Sequence, residues 1–301
     1  MNCMTREWDA SSYHRLSDPQ YGWGHRVLSR LSLRGDETVI DAGCGTARLT
    51  VELAALLPRG RVLAVDLSEN MLHQARQTIT AAKTEKTGSV ISSEDAAVNE
   101  RPGVGREDAA SESRNLHLSA KAAPTHLVCA DLAALPFKEI ADGIFSTAAF
   151  HWVGDHDALF RSLFTALKPG GWLVAQCGGG PNLLRLRQRT EVAMQLPEFS
   201  EYFRGWTPPQ VYYDDRETAA RLRHAGFSDV ATWLNSEDVR FPDSAVYREF
   251  LATVTLHAHL NRIPAPALRD RFLDRIIALA QQEPNLHLDY WRLNLHARKP
   301  Y

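Results

Sequence analysis

The chain has 301 residues, of which 44% are hydrophobic and 23% charged, and its formal net charge at pH 7 is −2. These values are typical of a globular protein that can build a sizeable core without disulfides or metals. A nearly balanced charge argues against a dominant attraction to nucleic acid or to an acidic membrane surface. We therefore expect no nucleic-acid partner.

The cysteines and the N-terminal segment bear on the compartment. Cys3, Cys44, Cys129 and Cys177 lie far apart without CxxC spacing, so they predict neither a disulfide framework nor a metal site. The N-terminal segment contains no apolar signal core, and no apolar run approaches the ~20 residues needed to span a bilayer. We therefore predict a cytoplasmic protein with no membrane partner.

Short apolar runs alternate with helical periodicity along most of the chain. Runs of this kind are typical of strands that are buried on both faces of a sheet. They are Thr38–Ala42, Arg61–Val65, His126–Ala130, Gly143–Thr147, Trp172–Cys177, Val230–Phe241 and Leu286–Ala297. Late helical patterns cover residues 216–225, 245–259 and 267–282. The alternation predicts a doubly wound, mostly parallel, seven-stranded α/β sheet of Rossmann-like type with helical insertions.

Two segments interrupt the alternation. Residues 83–125 hold six Lys or Arg and seven Asp or Glu but no Phe, Tyr or Trp, and we predict a disordered or loosely helical surface insertion. A substrate lid is the alternative. Residues 181–215 mix aromatic side chains with Arg185, Arg187, Arg189 and Arg204 directly after the fifth strand. We predict that this insertion roofs the substrate site, where arginines would bind an acidic substrate. The alternative for these arginines is a solvated helix face.

The predicted organisation therefore has four parts. Residues 1–30 form an N-terminal helical cap, and residues 31–180 form the α/β core with its insertion at 83–125. Residues 181–215 form the helical roof. Residues 216–301 complete the sheet and add two helices.

A glycine turn follows the first predicted strand. Gly43 and Gly45 allow the backbone to approach a ligand closely, and the amides there and in the following helix can bind a carboxylate. Asp41 and Cys44 belong to the same candidate binding turn. A dinucleotide fingerprint would place a third glycine at position 48, where this chain has Arg48, so the pattern argues against a nicotinamide or flavin site.

Two acidic residues end the next strands. Asp66 lies 21 positions after Gly45, the spacing expected of a carboxylate that binds ribose hydroxyls. Its alternative role is a helix N-cap, for which Ser68 is better placed. Asp131 can accept the amino group of an adenine ring packed on Leu132, or it can cap a short turn. Leu67 and Met71 complete this set of candidate cofactor residues.

Together these residues resemble the class I S-adenosylmethionine-dependent methyltransferases. Asp41–Ala47 (DAGCGTA) is similar to their first motif, although Ala47 stands where a further Gly is usual. The segments Cys129–Phe137 and Leu167–Leu173 are similar to their adenine-contacting segment and to the turn before their fifth strand. The resemblance covers roughly residues 10–180 and implies S-adenosyl-L-methionine as cofactor.

A narrower resemblance is to the trans-aconitate and malonyl-carrier-protein methyltransferase group. It rests on the segments Trp8–Tyr13 and Phe145–Val153. The resemblance implies that Tyr13 folds over the methionine end of the cofactor and that Ala148 contacts the cofactor. It also implies that His151 and Trp152 border the transferred methyl group. Tyr13 packing an N-terminal helix and Trp152 packing in the core are the alternatives.

The predicted function is methyl transfer to a small-molecule acceptor, and the resemblance implies a carboxylate as that acceptor (O-methylation). A carboxylate needs no general base, whereas a phenol or amine would make His151 the candidate base. The alternative function is a non-catalytic cofactor-binding module that recognises or assembles a partner. We expect a monomer or a homodimer.

Overall fold

The computed structural model describes residues 18–91 and 122–301. Within these ranges, seven strands form a single sheet in the order β3-β2-β1-β4-β5-β7-β6. The strands are β1 Thr38–Ala42, β2 Arg61–Asp66, β3 Thr125–Cys129, β4 Ala141–Thr147, β5 Leu167–Gly178, β6 Ser228–Arg240 and β7 His287–Arg298. Strands β1 to β5 pair in parallel, and β7 runs antiparallel between β5 and β6. The predicted fold class is confirmed.

Helices cover both faces of the sheet and its carboxyl edge. They are α1 Asp18–Leu28, α2 Arg48–Ala55, α3 Glu69–Ile91, α4 His156–Ala166, α5 Leu184–Met194, α6 Ser200–Phe203, α7 Asp215–His224, α8 Ser244–Phe250, α9 His257–Leu260 and α10 Pro266–Ala280. Short 3₁₀ turns cover Leu132–Ala134 and Phe150–Trp152. Among the described helices, none is long and apolar enough to cross a bilayer.

The structure differs from the predicted bounds of the helices and strands by more than two residues in three places. Strand β5 begins at Leu167 rather than at Trp172, because Leu167 already pairs with Ala141 before the register shifts. Helix α3 continues to Ile91, well into the predicted insertion, and residues 92–121 of that insertion lie outside the described residues. The predicted helix over 245–259 is divided by a π-helical turn, Leu251–Thr255, in which the Leu256 amide donates to the Leu251 carbonyl.

The centre of the sheet is buried on both faces. Neighbouring residues of β1 point to opposite sides, so that Ile40 contacts a cluster with Phe160 of α4, and Val39 contacts a cluster with Leu53 of α2. All four side chains are fully buried. Burial of this kind stabilises the fold by about 1.5–3 kcal/mol for each large side chain. The continuous apolar runs are therefore inner strands, because helices cover both faces of the sheet at these positions.

A second core lies beyond the carboxyl edge of the sheet. It joins Leu186 and Phe199 of the 181–215 insertion to Tyr247, Phe250 and Phe272 of the C-terminal helices. The roof over the sheet edge is thus built jointly by 181–215 and by helices α8 to α10. Segments that the sequence analysis assigned to separate units share one apolar cluster.

Gly143 in β4 offers a test of packing in this sheet. A β-carbon there would lie 2.1 Å from ring atoms of Trp172. We expect Gly143→Ala to lower the free energy of unfolding by about 1–3 kcal/mol, since the ring must shift to make room. Urea denaturation followed by circular dichroism measures the loss. The double variant Gly143→Ala/Trp172→Leu should recover part of it, and equal stability of parent and single variant would contradict the packing argument.

Candidate functional site

The glycine turn after β1 is fixed by hydrogen bonds to the end of β2. The amides of Gly43 and Cys44 both donate to the carbonyl of Val65, at 2.8 and 2.9 Å. The amide of Gly45 donates to Oδ2 of Asp66 at 2.9 Å. The turn needs left-handed backbone, with φ of +80° at Gly43 and +53° at Gly45. Ala47 also takes φ of +64°, at the position where the resembled motif usually has glycine.

The carboxylate of Asp66 connects the glycine turn to the segment that precedes α3. Its Oδ1 accepts the amide of Ser68 at 2.9 Å, while Oδ2 accepts Gly45. Ser68 in turn caps α3, because its hydroxyl accepts the amide of Met71 at 3.2 Å. Ser68 is thus the cap of α3, and the ribose role of Asp66 stays a prediction. Asp66 also borders the cavity in which a ligand would lie.

Gly43 is needed for a different reason from the one its sequence context suggested. We expected a side chain there to enter the space of the ligand. A β-carbon at Gly43 would instead lie 2.2 Å from Cβ of Ala149, which follows β4. A β-carbon at Gly45 would meet nothing within 4 Å. Gly43 therefore lets two loops of the protein approach each other, and Gly45 leaves the cavity side open.

A cavity of about 350 Å³ opens at the carboxyl ends of β1, β2 and β4. Its volume is in the range of small-ligand sites, and it lies where the strand order reverses. Eight predicted cofactor residues line it, namely Gly43, Gly45, Asp66, Leu67, Met71, Asp131, Leu132 and Ala148. Ser68, Thr147, Ala149 and Val153 also line it, and the sequence analysis missed them because no local pattern marks them. Asp131 also caps the following turn by accepting the Ala133 amide at 2.9 Å.

A smaller pocket of about 70 Å³ lies on the other side of the glycine turn. Asp41 and Cys44 line it, together with Gln20, Tyr21 and Arg48, which were not predicted. The guanidinium of Arg48 lies 4.1 Å from the centre of the Tyr21 ring. Burial raises the pKa of the Cys44 thiol, which therefore stays protonated near neutral pH.

A third space, which we call the acceptor chamber, has a volume of about 40 Å³ and lies beneath the roof. His151 and Trp152 line it, as do Asn182, Tyr212 and Arg292. Trp152 borders the 350 Å³ cavity as well. Ala148, with φ of +54°, borders all three spaces, and the chamber thus meets the other two at this residue.

The hydrogen bonding of His151 decides what its ring can do. The amide of Gly178 donates to Nδ1 at 3.3 Å, so Nδ1 is an acceptor and the neutral ring carries its proton on Nε2. The ring is buried and stacks on Tyr212, with ring centres 5.9 Å apart. In this tautomer Nε2 carries the proton and Nδ1 is already occupied, so the ring does not suit base catalysis.

None of the four arginines predicted to bind substrate lines the acceptor chamber among the described residues. Arg185 and Arg189 both pair with Glu283, at 2.9 Å for Arg185. Arg187 lies over the Tyr212 ring, 5.2 Å from its centre, and Arg204 is exposed. The arginine in the chamber is Arg292 of β7, which is only 2% exposed. In the sequence, Arg292 is marked only as a basic residue within the apolar run of the predicted strand Leu286–Ala297.

Tyr13, predicted to cover the methionine end, lies outside the described residues. The part of the predicted cap that the structure describes, helix α1, contributes Gln20 to both small spaces and Tyr21 to the 70 Å³ pocket. The roof contributes Asn182, Leu183, Gln210 and Tyr212 to the chamber.

The residues present fit S-adenosylmethionine. The open side of Gly45 and the carboxylate of Asp66 at the cavity wall suit an adenosyl group with donor hydroxyls. Asp66 with Leu67 and Met71 would hold the ribose end, Asp131 and Leu132 the adenine, and Asp41 with the 70 Å³ pocket the methionine end.

Comparison with known proteins agrees with this geometry. A family model described as a methyltransferase domain matches residues 40–173. A trans-aconitate 2-methyltransferase of Paracidovorax citrulli is 28% identical over 64% of this chain and 58% of its own length. One from Variovorax paradoxus is 25% identical over 86% of this chain and 83% of its own length. A malonyl-[acyl-carrier protein] O-methyltransferase of Priestia megaterium is 25% identical over 55% of this chain and 46% of its own length.

A solved structure shows the same fold. Phosphoethanolamine N-methyltransferase 2 of Haemonchus contortus, in complex with phosphomonomethylethanolamine and S-adenosylhomocysteine, superposes with a TM-score of 0.53. It is 17% identical, over 97% of this chain and 57% of that one. These matches assign residues 40–173 to a methyltransferase domain, and the fold is that of the class I S-adenosylmethionine-dependent methyltransferases. The relatives of similar sequence are named as trans-aconitate and malonyl-carrier-protein methyltransferases, and the chain spans 58% of the first of them.

The role of Asp66 can be tested by substitution. We expect Asp66→Ala to weaken binding of S-adenosylhomocysteine by about 10- to 100-fold, equivalent to about 1–3 kcal/mol for buried donors left without an acceptor. Isothermal titration calorimetry measures the change. Glu69→Ala is the matched control, since Glu69 is an exposed acid three positions further along. Equal affinities for parent and Asp66→Ala would refute the assignment.

The ionisation of Asp41 predicts that the stability of the protein depends on pH. Its carboxyl is buried, and burial raises its pKa to about 7, opposed by the hydrogen bond from Thr50 at 2.6 Å and aided by repulsion from Asp66. An unfolded Asp has a pKa of about 3.9. Between these values the folded state binds more protons, so stability falls as pH rises towards 7 and is level above it.

We therefore expect the ligand-free protein to lose up to about 2 kcal/mol of stability between pH 5.5 and pH 7.5 through this group. Asp41→Asn imitates the neutral carboxyl and should remove this part of the decline. Urea unfolding of both proteins at the two pH values gives the difference, in which all other titrations cancel. Parallel pH profiles for the two proteins would rule out the raised pKa.

Proposed function

We propose that the protein transfers the methyl group to a carboxylate oxygen of a small organic acid, giving a methyl ester. The observation that carries this proposal is the guanidinium of Arg292 in the acceptor chamber, next to the cofactor spaces. Arg292 is the only permanently charged side chain among the described residues that line the chamber, and no Asp or Glu is among them.

The burial of Arg292 supports an anionic acceptor. A guanidinium that is 2% exposed has lost most of its hydration, and an anion in the chamber would offset that cost. Nε of Arg292 donates to Oε1 of Gln176 at 3.5 Å, and the guanidinium lies 4.6 Å from the Trp23 ring centre. These contacts orient the planar group, whose five donors match the geometry of a carboxylate.

The state of His151 points the same way. A phenol or amine acceptor would need a group that removes a proton, whereas Nδ1 of His151 already accepts the Gly178 amide and cannot take that proton. A carboxylate is already ionised near pH 7 and needs no such group. His151 and Arg292 both line the chamber, where Arg292 would pair with that carboxylate. The relatives named for trans-aconitate and malonyl-carrier-protein methylation are consistent with such an acceptor.

The chain would promote the reaction mainly by placement and by exclusion of water. When bound, S-adenosylmethionine supplies an electrophilic methyl group on a sulfonium centre. Trp152 and Ala148 separate the chamber from the larger cavity, so an acceptor there lies beside the cofactor site. A small, aromatic-lined chamber strips water from the carboxylate, and orientation of the reacting atoms can supply much of the acceleration. The oxygen gains the methyl carbon, the bonding pair stays on sulfur, and no proton moves.

A screen with radiolabelled methyl donor tests the proposal directly. Pools of acids, phenols, amines and thiols are incubated with the protein, and the labelled products are treated with mild alkali. Methyl esters release labelled methanol under these conditions, whereas methyl ethers, amines and thioethers do not. Label confined to alkali-stable products would contradict carboxylate methylation, and label in no pool would favour a binding module.

Arg292 provides the matching variant test. With an acid identified by the screen, we expect Arg292→Met to raise KM by at least about 30-fold, because a buried charge-assisted contact contributes roughly 2–5 kcal/mol. Arg292→Lys should recover part of the loss. Affinity for S-adenosylhomocysteine should be unchanged, since Arg292 lies outside the 350 Å³ cavity. Arg298→Met, at an exposed position of the same strand, is the control. An unchanged KM in Arg292→Met would remove the basis of the proposal.

A further inference from the structure

A fourth space, larger than the acceptor chamber, adjoins the chamber on the side away from the cofactor spaces. Its volume is about 440 Å³, against about 40 Å³ for the chamber. The two spaces share Leu183, Gln210, Tyr212 and Thr255 as lining residues. We call this space the outer cavity. It shares no lining residue with the 350 Å³ cavity among the described residues, so it lies beyond the chamber as seen from the cofactor.

The walls of the outer cavity are mainly apolar. Leu186 and Met194 come from α5, Trp206 follows α6, and Leu256 precedes α9. All four belong to the second core or pack against it, so the cavity is a gap in an apolar cluster. Such a gap costs stability unless something fills it.

Charges are confined to the rim of this cavity. Arg187 and Glu191 lie one helical turn apart on α5 and are both exposed. His259 is buried in the wall, and burial, with repulsion from His257, lowers its pKa to about 4, so it is neutral at pH 7. Among the described lining residues, Arg187 and Glu191 are the only permanently charged ones, and because their charges are opposite the cavity offers no net charge to a second or third carboxylate.

The junction between chamber and outer cavity depends on the π-helical turn Leu251–Thr255. The wider turn interrupts the helix that the sequence predicted and places Val254 and Thr255 at the chamber. Thr255 donates to the Leu251 carbonyl at 3.2 Å, so its hydroxyl is satisfied within the turn. Wide turns of this kind occur frequently at functional sites. Here the turn shapes the passage by which an acceptor would extend from one space into the other.

We infer that the acceptor is a carboxylic acid with an apolar arm, whose carboxylate occupies the chamber and whose alkyl or aryl arm occupies the outer cavity. This inference rests on the proposed carboxylate methylation and specifies its substrate class. It sets the acceptor apart from a compact tricarboxylate, because Arg292 is the single permanent cation lining the chamber in the described part of the chain. The apolar space beyond the chamber is the larger of the two and would remain unfilled by such an acid.

A chain-length series tests the inference. Butanoic, hexanoic, octanoic and decanoic acids are compared as methyl acceptors below their micellar concentrations. We expect kcat/KM to rise about fourfold for each added methylene until the cavity is filled, the factor given by burial of one CH₂. A tricarboxylic acid should be a poorer acceptor than octanoic acid. Calorimetric titration of decanoic acid into the protein with S-adenosylhomocysteine measures binding independently of turnover.

Met194→Trp fills the outer cavity and should abolish most of the chain-length gradient and the binding of decanoic acid. Val192→Trp is the matched control, since Val192 lies on the same helix, is 53% exposed and does not line the cavity. Both variants should retain the parental affinity for S-adenosylhomocysteine, which shows that they are folded.

The outcomes separate the two proposals. Methylation of butanoic acid without any gain on lengthening the chain overturns the apolar arm and leaves carboxylate methylation intact. A gradient that survives in Met194→Trp also overturns it. If no acid is methylated but decanoic acid binds to the parent and to Val192→Trp and not to Met194→Trp, the carboxylate proposal fails and the apolar site stands. Absence of decanoic acid binding to the parent overturns the apolar site.

Discussion

The site depends on one interaction between the ends of two adjacent strands. The carbonyl of Val65 accepts the amides of Gly43 and Cys44, and the side chain of Asp66 accepts the amide of Gly45. These bonds hold the turn after β1 in a left-handed conformation and tie it to β2. The 350 Å³ cavity lies on one side of this turn and the 70 Å³ pocket on the other, so the shape of both follows from it. Asp66 is at once part of the scaffold and part of the cavity wall.

Charge is divided across the site in a way that suits transfer from a cation to an anion. The carboxyl groups of Asp66 and Asp131 border the 350 Å³ cavity, which no described Lys or Arg lines, whereas the guanidinium of Arg292 borders the acceptor chamber. Ala148 stands where the spaces meet. A sulfonium donor near the acids and a carboxylate near the arginine would each be favoured by the opposite charge beside it. Because the two spaces are separate, the sulfonium is kept from the guanidinium and the acceptor carboxylate from the acids.

The roof illustrates why sequence reasoning was weaker for the acceptor side. The insertion follows β5, but its arginines do not line the acceptor chamber: Arg185 pairs with Glu283, Arg187 lies over the Tyr212 ring and Arg204 is exposed. Its apolar partners come from helices α8 to α10, more than 40 positions later in the chain. The π-helical turn that admits Thr255 to the chamber has no local signature, because Leu251–Thr255 is compatible with an ordinary helix.

The sequence by itself determined where the seven strands lie along the chain, the glycine turn with Asp66 and, through the resemblance, the class of cofactor. The strands follow from the apolar pattern that each carries, and the turn and Asp66 follow from residue type and a spacing of 21 positions. Only the tertiary structure decided that Gly43 accommodates Ala149, that Arg292 lies in the acceptor chamber and that an apolar cavity adjoins it. These features join residues that are far apart in the chain, and whether a charged side chain is buried or solvated depends on neighbours that the local sequence does not specify.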